Sequence, residues 1–191
     1  MLRKLSNKLQ GWAKGWLVLI FMALDIAFVG FIMPIAAALM KGLAGGPGPL
    51  DMQFFSTPDR AYGMIEAYGK YTRAFYRNFE LTVDIIYPII YTLFFSLLIT
   101  WLFRKGFAAS SPMQKLNVIP FGAWLFDLLE NIGIVSMISV YPSTPAALAW
   151  ITTLFTMTKW LFVMAGMVLV LIGLVAAVLG LFRKREPAKI M

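Results

Sequence analysis

The chain has 191 residues, of which 60% are hydrophobic and 14% are charged. A soluble domain is typically about 45–50% apolar and about 25% charged, so this composition excludes a soluble globular protein. The chain contains no Cys and no His. This excludes disulfides, thiol chemistry, iron–sulfur clusters and His-ligated haem or zinc. We therefore expect an integral membrane protein with no cofactor and no bound metal.

Four apolar stretches are long enough to cross a bilayer, which requires about 20 residues. They cover residues 16–40, 81–103, 116–141 and 147–182. A turn at Pro142–Pro145 separates the third stretch from the fourth. We predict an all-α polytopic membrane protein, with a single membrane domain over residues 1–191 folded as a bundle of four transmembrane helices.

Basic residues concentrate on one side of the predicted bundle. They are Arg3, Lys4, Lys8 and Lys14 before the first span, Arg104, Lys105 and Lys115 between the second and third, and Arg183, Lys184, Arg185 and Lys189 after the fourth. An excess of Lys and Arg marks the cytoplasmic side. Both termini are therefore predicted to be cytoplasmic, in a membrane that we expect to be the prokaryotic cytoplasmic membrane. The lipid bilayer explains the net charge of +8, and no nucleic acid is expected as a partner.

The loop between the first and second spans is predicted to be partly helical over about residues 57–80. An N-cap, a proline and an acid open the first helix, at Thr57-Pro58-Asp59. Apolar residues then repeat at helical spacing, at Ala61, Met64, Ile65 and Tyr68, and Gly69 fits a helix end. Aromatic residues follow at a spacing of four, at Tyr71, Phe75 and Phe79. The loop is either an anchor at the outer interface or a cap over a pocket between the spans.

Ionisable residues inside the spans are the main candidates for function, because they are costly in a bilayer. They are Asp25, Asp84, Asp127, Glu130 and Lys159. The helical rise of about 1.5 Å per residue predicts that Asp25, Asp127 and Glu130 share the middle of the membrane without a basic partner. Asp84 and Lys159 are predicted at the outer edge, where Lys159 pairs with Asp84 or extends to water; a role for Lys159 at the site is the less favoured alternative. At least one central acid is expected to be protonated or matched by a bound cation.

Further polar residues lie beside these acids. Asp127, Glu130 and Asn131 occupy one face of the third span, which is predicted to point into the bundle. In the second span, Pro88 frees a backbone carbonyl near Asp84, and Tyr91 supplies a hydroxyl on the same face. We predict a ligand-binding site with no catalytic residues and no metal ligands, formed by Asp25, Asp84, Tyr91, Asp127, Glu130, Asn131 and Lys159. A polar network that holds the helices in register is the alternative.

The fourth span contains Gly166, Gly173 and Gly180, spaced by seven residues. Small residues at such spacing allow another helix to approach closely. That helix belongs either to the same bundle, which is the favoured interpretation, or to a second copy of the chain.

Three segments carry a resemblance to a known family. They are Phe-Ser-Thr-Pro-Asp-Arg-Ala-Tyr at 55–62, Asp-Ile-Ile-Tyr-Pro-Ile-Ile-Tyr at 84–91, and Pro-Phe-Gly-Ala-Trp-Leu-Phe-Asp-Leu-Leu-Glu-Asn at 120–131. Over residues 55–182 the chain resembles an uncharacterised family of small four-span bacterial membrane proteins, which implies a fold and no specific activity. The positions of Asp25, Glu80 and Asp84 also resemble the layout of the sterol isomerase and sigma-2 receptor superfamily, whose buried acids hold cationic or sterol-like ligands. The isomerases of that superfamily use a His, which this chain lacks.

Three functions are open on this basis. The favoured one is binding or carrying a small hydrophobic or cationic ligand, such as a lipid or an amine, in an acidic intramembrane pocket. The second is an accessory or assembly subunit with structural acids, in a homodimer or a larger membrane complex. The third is a lipid-modifying membrane enzyme that uses Asp127 and Glu130 as acid and base. An enzyme is less favoured, because no nucleophile with an adjacent activating base is present.

Overall fold

The computed structural model describes residues 2–44 and 47–183, which form eight α-helices. These are α1 (Leu2–Trp12), α2 (Gly15–Ala27), α3 (Met33–Ala44), α4 (Pro58–Ala67), α5 (Gly69–Glu80), α6 (Val83–Gly106), α7 (Pro120–Val140) and α8 (Ala146–Arg183). A π-helical turn at Phe28–Ile32 joins α2 to α3, and 3₁₀ segments cover Leu50–Met52 and Pro112–Val118. Gly45 and Gly46, between the first and second spans, lie outside the described residues. So do Lys184, Arg185 and Lys189 of the basic residues predicted on the cytoplasmic side.

Within the described residues, four helical stretches are long and apolar enough to cross a membrane. They are Gly15–Gly42, Gly69–Gly106, Pro112–Val140 and Ala146–Gly180. The predicted four-helix membrane bundle is confirmed, and the chain is an integral membrane protein. The second stretch starts earlier than predicted, because α5 continues into α6 through a short turn at Leu81 and Thr82.

Small residues let the spanning helices cross closely. α8 packs against both α6 and α7, and α2 packs against α6. A side chain at Gly133 of α7 would collide with Thr152 of α8. A Cβ atom at Gly173 would lie 2.9 Å from Leu102, and one at Gly180 would lie 2.9 Å from the backbone oxygen of Lys105. Gly173 and Gly180 therefore face α6 inside the bundle, as the favoured interpretation predicted.

Helix α1 is fastened to one end of the bundle. It packs against the 3₁₀ segment Pro112–Val118 and against α6, and it buries Leu9. The guanidinium of Arg104 donates to the backbone oxygens of Gln10 at 3.2 Å and Ala13 at 3.4 Å. These contacts bring the basic residues of α1 and of the 104–115 region to the same end of the molecule.

Helix α4 covers the opposite end of the bundle. The Thr57 side chain accepts a hydrogen bond from the Arg60 amide at 3.4 Å, so the predicted N-cap is confirmed. The predicted apolar face of α4 is buried and packs on residues of α7 and α8, among them Met137 and Ala149. Gly69 has φ of +66°, a left-handed conformation that favours glycine, and turns the chain into α5. α4 is thus packed on the spans, whereas Tyr71 of α5 is 84% exposed.

Candidate functional site

Four acids and one lysine are buried together between α5, α6, α7 and α8. They are Glu80, Asp84, Asp127, Glu130 and Lys159, and none is more than 7% exposed. We call this group the acidic centre. Each helix contributes at least one of its members, so the centre forms only when the four helices are packed.

Lys159 pairs with two acids of the acidic centre. Its ammonium group forms ion pairs with Glu130 and, at 3.5 Å, with Asp127. The prediction that Lys159 pairs with Asp84 or extends to water was wrong, as was the prediction that Asp127 and Glu130 have no basic partner. The predicted depths assume straight helices that cross the bilayer from their charged ends. α8 has 38 residues and is about 57 Å long, so position along it is a poor measure of depth.

Hydroxyl groups from neighbouring helices complete the coordination of Asp127 and Glu130. Tyr91 donates to Asp127 Oδ2 at 2.8 Å. Thr156 donates to Glu130 Oε1 at 2.6 Å and also lies 3.1 Å from the backbone oxygen of Thr152. Both carboxylates therefore have a cationic donor and a neutral donor, which is how buried charges are stabilised.

Asp84 belongs to the acidic centre and not to a separate outer site. The Asn131 amide donates to Asp84 Oδ2 at 3.0 Å and to the Asp84 backbone oxygen at 2.9 Å. That carbonyl lies four residues before Pro88, which has no N–H to donate to it. The carbonyl predicted to be freed by Pro88 is thus satisfied by a side chain from α7.

Glu80 is the member of the centre that the sequence-based site prediction left out. It is 1% exposed, and neither carboxylate oxygen has a hydrogen-bond partner among the described residues. It lies within electrostatic range of Asp84, Glu130 and Lys159. A second pattern in α5 signals it: Thr72, Tyr76 and Glu80 recur every four residues and are buried, beside the predicted aromatic face of Tyr71, Phe75 and Phe79.

Asp25 is separate from the acidic centre. It is half-buried, beside Tyr87 of α6, and its buried Oδ1 atom has no hydrogen-bond partner among the described residues. The Tyr87 ring contacts the Tyr91 ring edge-to-face at 5.3 Å, and Tyr91 in turn bonds to Asp127. In the described structure, Asp25 is linked to Asp127 through Tyr87 and Tyr91, and its place in a common site with Asp127 and Glu130 stays a prediction.

The chain between α3 and α4 is tied down above the acidic centre. We call residues 47–57 the outer segment, after the side of the membrane predicted for them. The Tyr76 hydroxyl donates to Asp51 Oδ1 at 2.5 Å and accepts from the backbone amides of Leu50 and Asp51 at 3.1 and 3.2 Å. The Tyr68 hydroxyl donates to the Gly48 carbonyl at 2.9 Å. Burial and the nearby negative charges of Asp51 and Glu80 raise the pKa of Tyr68, which keeps it a donor.

A small cavity lies between the outer segment and α8. The volume within which the centre of a water molecule fits is about 10 Å³. The cavity is lined by Leu50, Gln53, Ser56, Ala61, Met137, Ala149, Thr152, Thr153 and Thr156. This space matches one water and is far too small for a lipid chain. A larger groove on the surface of α3, lined by Ile35, Ala38, Leu39 and Gly42, is apolar and contains no acid.

These observations define an integral membrane protein with four spans and a buried acidic centre. Among the described residues, no group of three or more acids is arranged to hold a metal ion. Comparison of the chain with models of known protein families, with curated proteins and with solved structures finds no match. The family resemblance over residues 55–182 therefore stays a prediction.

Proposed function

We propose that this membrane protein binds, and carries, a small cationic ligand at the acidic centre. One observation supports this above the others: in the described part of the chain, four buried carboxyl groups lie together with one buried ammonium group, which pairs with two of them. With all four acids ionised, the four carboxylates and the lysine would carry a net charge of −3. Unmatched buried charge costs several kcal/mol per ion, so protons or a bound cation must balance it.

Glu80 supports a ligand over a closed structural network. Its two oxygens are buried without a hydrogen-bond partner in the described structure, and it lies within electrostatic range of Asp84 and Glu130. A buried polar group without a partner costs about 1–3 kcal/mol. A cation with N–H donors would satisfy both the charge and the missing hydrogen bonds.

The geometry around Lys159 favours a small primary ammonium as the ligand class. Asp127 and Glu130 already hold an ammonium group of this kind. The cavity beside Thr156 has room for one water, which argues against a bulky hydrophobic ligand and against a lipid substrate. We therefore do not propose the lipid-modifying enzyme that would use Asp127 and Glu130.

A thermal-shift experiment with methylammonium chloride tests the proposal, with NaCl at equal concentration as the ionic-strength reference. Wild type is expected to gain about 2–4 °C for each kcal/mol of binding free energy. Glu80→Gln and Asp84→Asn are expected to lose this gain. Glu66→Gln, on the exposed side of α4, is the matched control and should keep it. An equal gain in wild type, Glu80→Gln and Asp84→Asn would contradict binding at the acidic centre.

An accessory subunit with structural acids is the second candidate. It is favoured by the bonds that Asp84, Asp127 and Glu130 accept from neighbouring helices. In that case no methylammonium shift occurs in wild type. The triple variant Asp127→Asn, Glu130→Gln, Lys159→Met would then keep the wild-type melting temperature and assembly state.

We also propose that both termini face the cytoplasm of a prokaryotic cell. The support is the set of basic residues at the α1 end of the bundle, because Lys and Arg accumulate on the cytoplasmic side. The chain has no Cys, so single-Cys variants are clean probes. In intact spheroplasts a membrane-impermeant maleimide should label Tyr71→Cys and spare Lys4→Cys. The reverse pattern would place the termini outside.

A further inference from the structure

The cavity beneath the outer segment is polar on the side of α8. Thr152, Thr153 and Thr156 line it there, and Gln53 and Ser56 line it from the outer segment. One buried water needs about 10–15 Å³ and two to four polar partners. The space of about 10 Å³ and these side chains meet both requirements.

The threonine hydroxyls around the cavity all use their protons elsewhere. Thr152 donates to the Leu148 carbonyl at 2.8 Å, and Thr153 donates to the Ser56 carbonyl at 2.9 Å. Thr156 donates to Glu130 Oε1 at 2.6 Å. Each hydroxyl oxygen keeps lone pairs that can accept a hydrogen bond. A water placed in the cavity would therefore donate to Thr156, whose own proton is donated to Glu130.

We propose that this cavity binds a water molecule that delivers protons from the outer face to Glu130 through the Thr156 hydroxyl. An excess proton on the water passes to Thr156 Oγ1, while the original Thr156 proton passes to Glu130 Oε1. One O–H bond of the hydronium breaks and one forms at Thr156; one O–H bond of Thr156 breaks and one forms on Glu130. The water and Thr156 end neutral, and the negative charge of Glu130 is removed.

Protonation of Glu130 changes the balance of the acidic centre. Lys159 on α8 and Asp127 on α7 face Glu130 directly, and Glu80 on α5 and Asp51 in the outer segment act on it at longer range. A neutral Glu130 no longer attracts the Lys159 ammonium as an ion, which leaves Lys159 its ion pair with Asp127 at 3.5 Å. Proton delivery from the outer face thus weakens the ion pairing of Lys159. This proton route does not depend on ligand binding at the acidic centre.

Rapid-flow infrared spectroscopy after a drop in pH tests the proposal. The signal is the C=O stretching band of the protonated Glu130 carboxyl group. This band is identified by its absence from the spectrum of Glu130→Gln. Thr156→Val removes the hydroxyl at similar volume and is expected to slow the appearance of this band at least tenfold. Thr156→Ser keeps the hydroxyl and should match wild type. Thr158→Val, at an exposed hydroxyl of the same helix, is the control and should also match wild type.

A second variant keeps the test decisive if Thr156→Val does not fold. Ala149→Val adds two methyl groups to the cavity wall and leaves Thr156 intact. This variant is expected to slow the appearance of the Glu130 band by a similar factor. Ala147→Val, on the exposed side of α8, should leave that rate unchanged. Wild-type rates in Thr156→Val or Ala149→Val would overturn the route. So would a wild-type protein that stays folded without ever developing the Glu130 band. Methylammonium binding is read separately, so its failure leaves this test unaffected.

Discussion

The side-chain amide of Asn131 in α7 donates hydrogen bonds to both the carboxylate and the backbone carbonyl of Asp84 in α6. Pro88 interrupts the hydrogen-bond ladder of α6 at this carbonyl, so the helix depends on α7 to complete it. A break in a transmembrane helix is tolerated where a neighbouring helix satisfies the freed backbone group. The acidic centre therefore lies where α6 needs a hydrogen-bond donor from α7 to satisfy its own backbone.

Asn131→Ala is expected to destabilise the protein by about 1–2 kcal/mol, because two acceptors lose their donor in a buried site. Unfolding by SDS titration in mixed micelles measures the change. Asn78→Ala, at an exposed position of α5, is the control. Equal stability of the two variants would show that Asn131 contributes no hydrogen-bond energy.

Lys159→Met is expected to cost about 3–5 kcal/mol, because it leaves two carboxylates buried without their cation. Adding Asp127→Asn and Glu130→Gln to this variant should recover most of the loss, since no unpaired charge remains. Lys70→Met, on the exposed side of α5, should be neutral. The same SDS titration compares the four proteins, and a triple variant no better than the single one would argue against the ion pairs as the cause.

Gly133→Ala is expected to loosen the contact between α7 and α8, because the added Cβ collides with Thr152. Overpacking of this kind costs about 1–3 kcal/mol. Gly63→Ala in α4 meets no atom within 4 Å and should instead gain up to about 1 kcal/mol of helix propensity. Melting temperatures that move in opposite directions would support this contact; a stabilising Gly133→Ala would not.

Tyr76→Phe is expected to release the outer segment, because its hydroxyl holds two backbone amides and the Asp51 carboxylate. Hydrogen–deuterium exchange of a peptide containing Leu50 and Asp51 should become faster. Tyr71→Phe removes a hydroxyl from an exposed ring of the same helix and should leave the exchange unchanged. Unchanged exchange in Tyr76→Phe would mean that other contacts hold the segment.

Tyr68 should make the protein sensitive to alkaline pH. Burial, and then the charges of Asp51 and Glu80, raise the pKa of Tyr68 above its ordinary value of 10.0. The unfolded chain then loses this proton at about pH 10 while the folded chain retains it, so stability falls as pH rises beyond about 10. Tyr68→Phe should lower stability near pH 7, through loss of the bond to Gly48, and flatten the alkaline decline. An equally steep decline in the variant would remove Tyr68 as a cause.

The parts of this protein that follow from short-range rules were predictable. Mean hydropathy along the chain located the four spans, because a bilayer selects for length and apolarity within a single segment. The start of α4 at Thr57 and its end before Gly69 follow from backbone chemistry within a few residues. The facing of Asp127, Glu130 and Asn131 into the bundle follows from helical periodicity, and all three are buried.

The composition of the acidic centre was decided by tertiary packing. Lys159 reaches Glu130 and Asp127 because α8 crosses α7 closely at Gly133. Counting residues along straight helices does not predict this crossing. Glu80 joins the centre because α5 continues into α6 with its Tyr76 face turned inward. Asp25 lies beside Tyr87 of α6, whose ring packs on Tyr91, and Tyr91 in turn bonds to Asp127. The sequence alone determined that acids lie within the membrane, and the packing of the helices determined which of them meet and which cation they share.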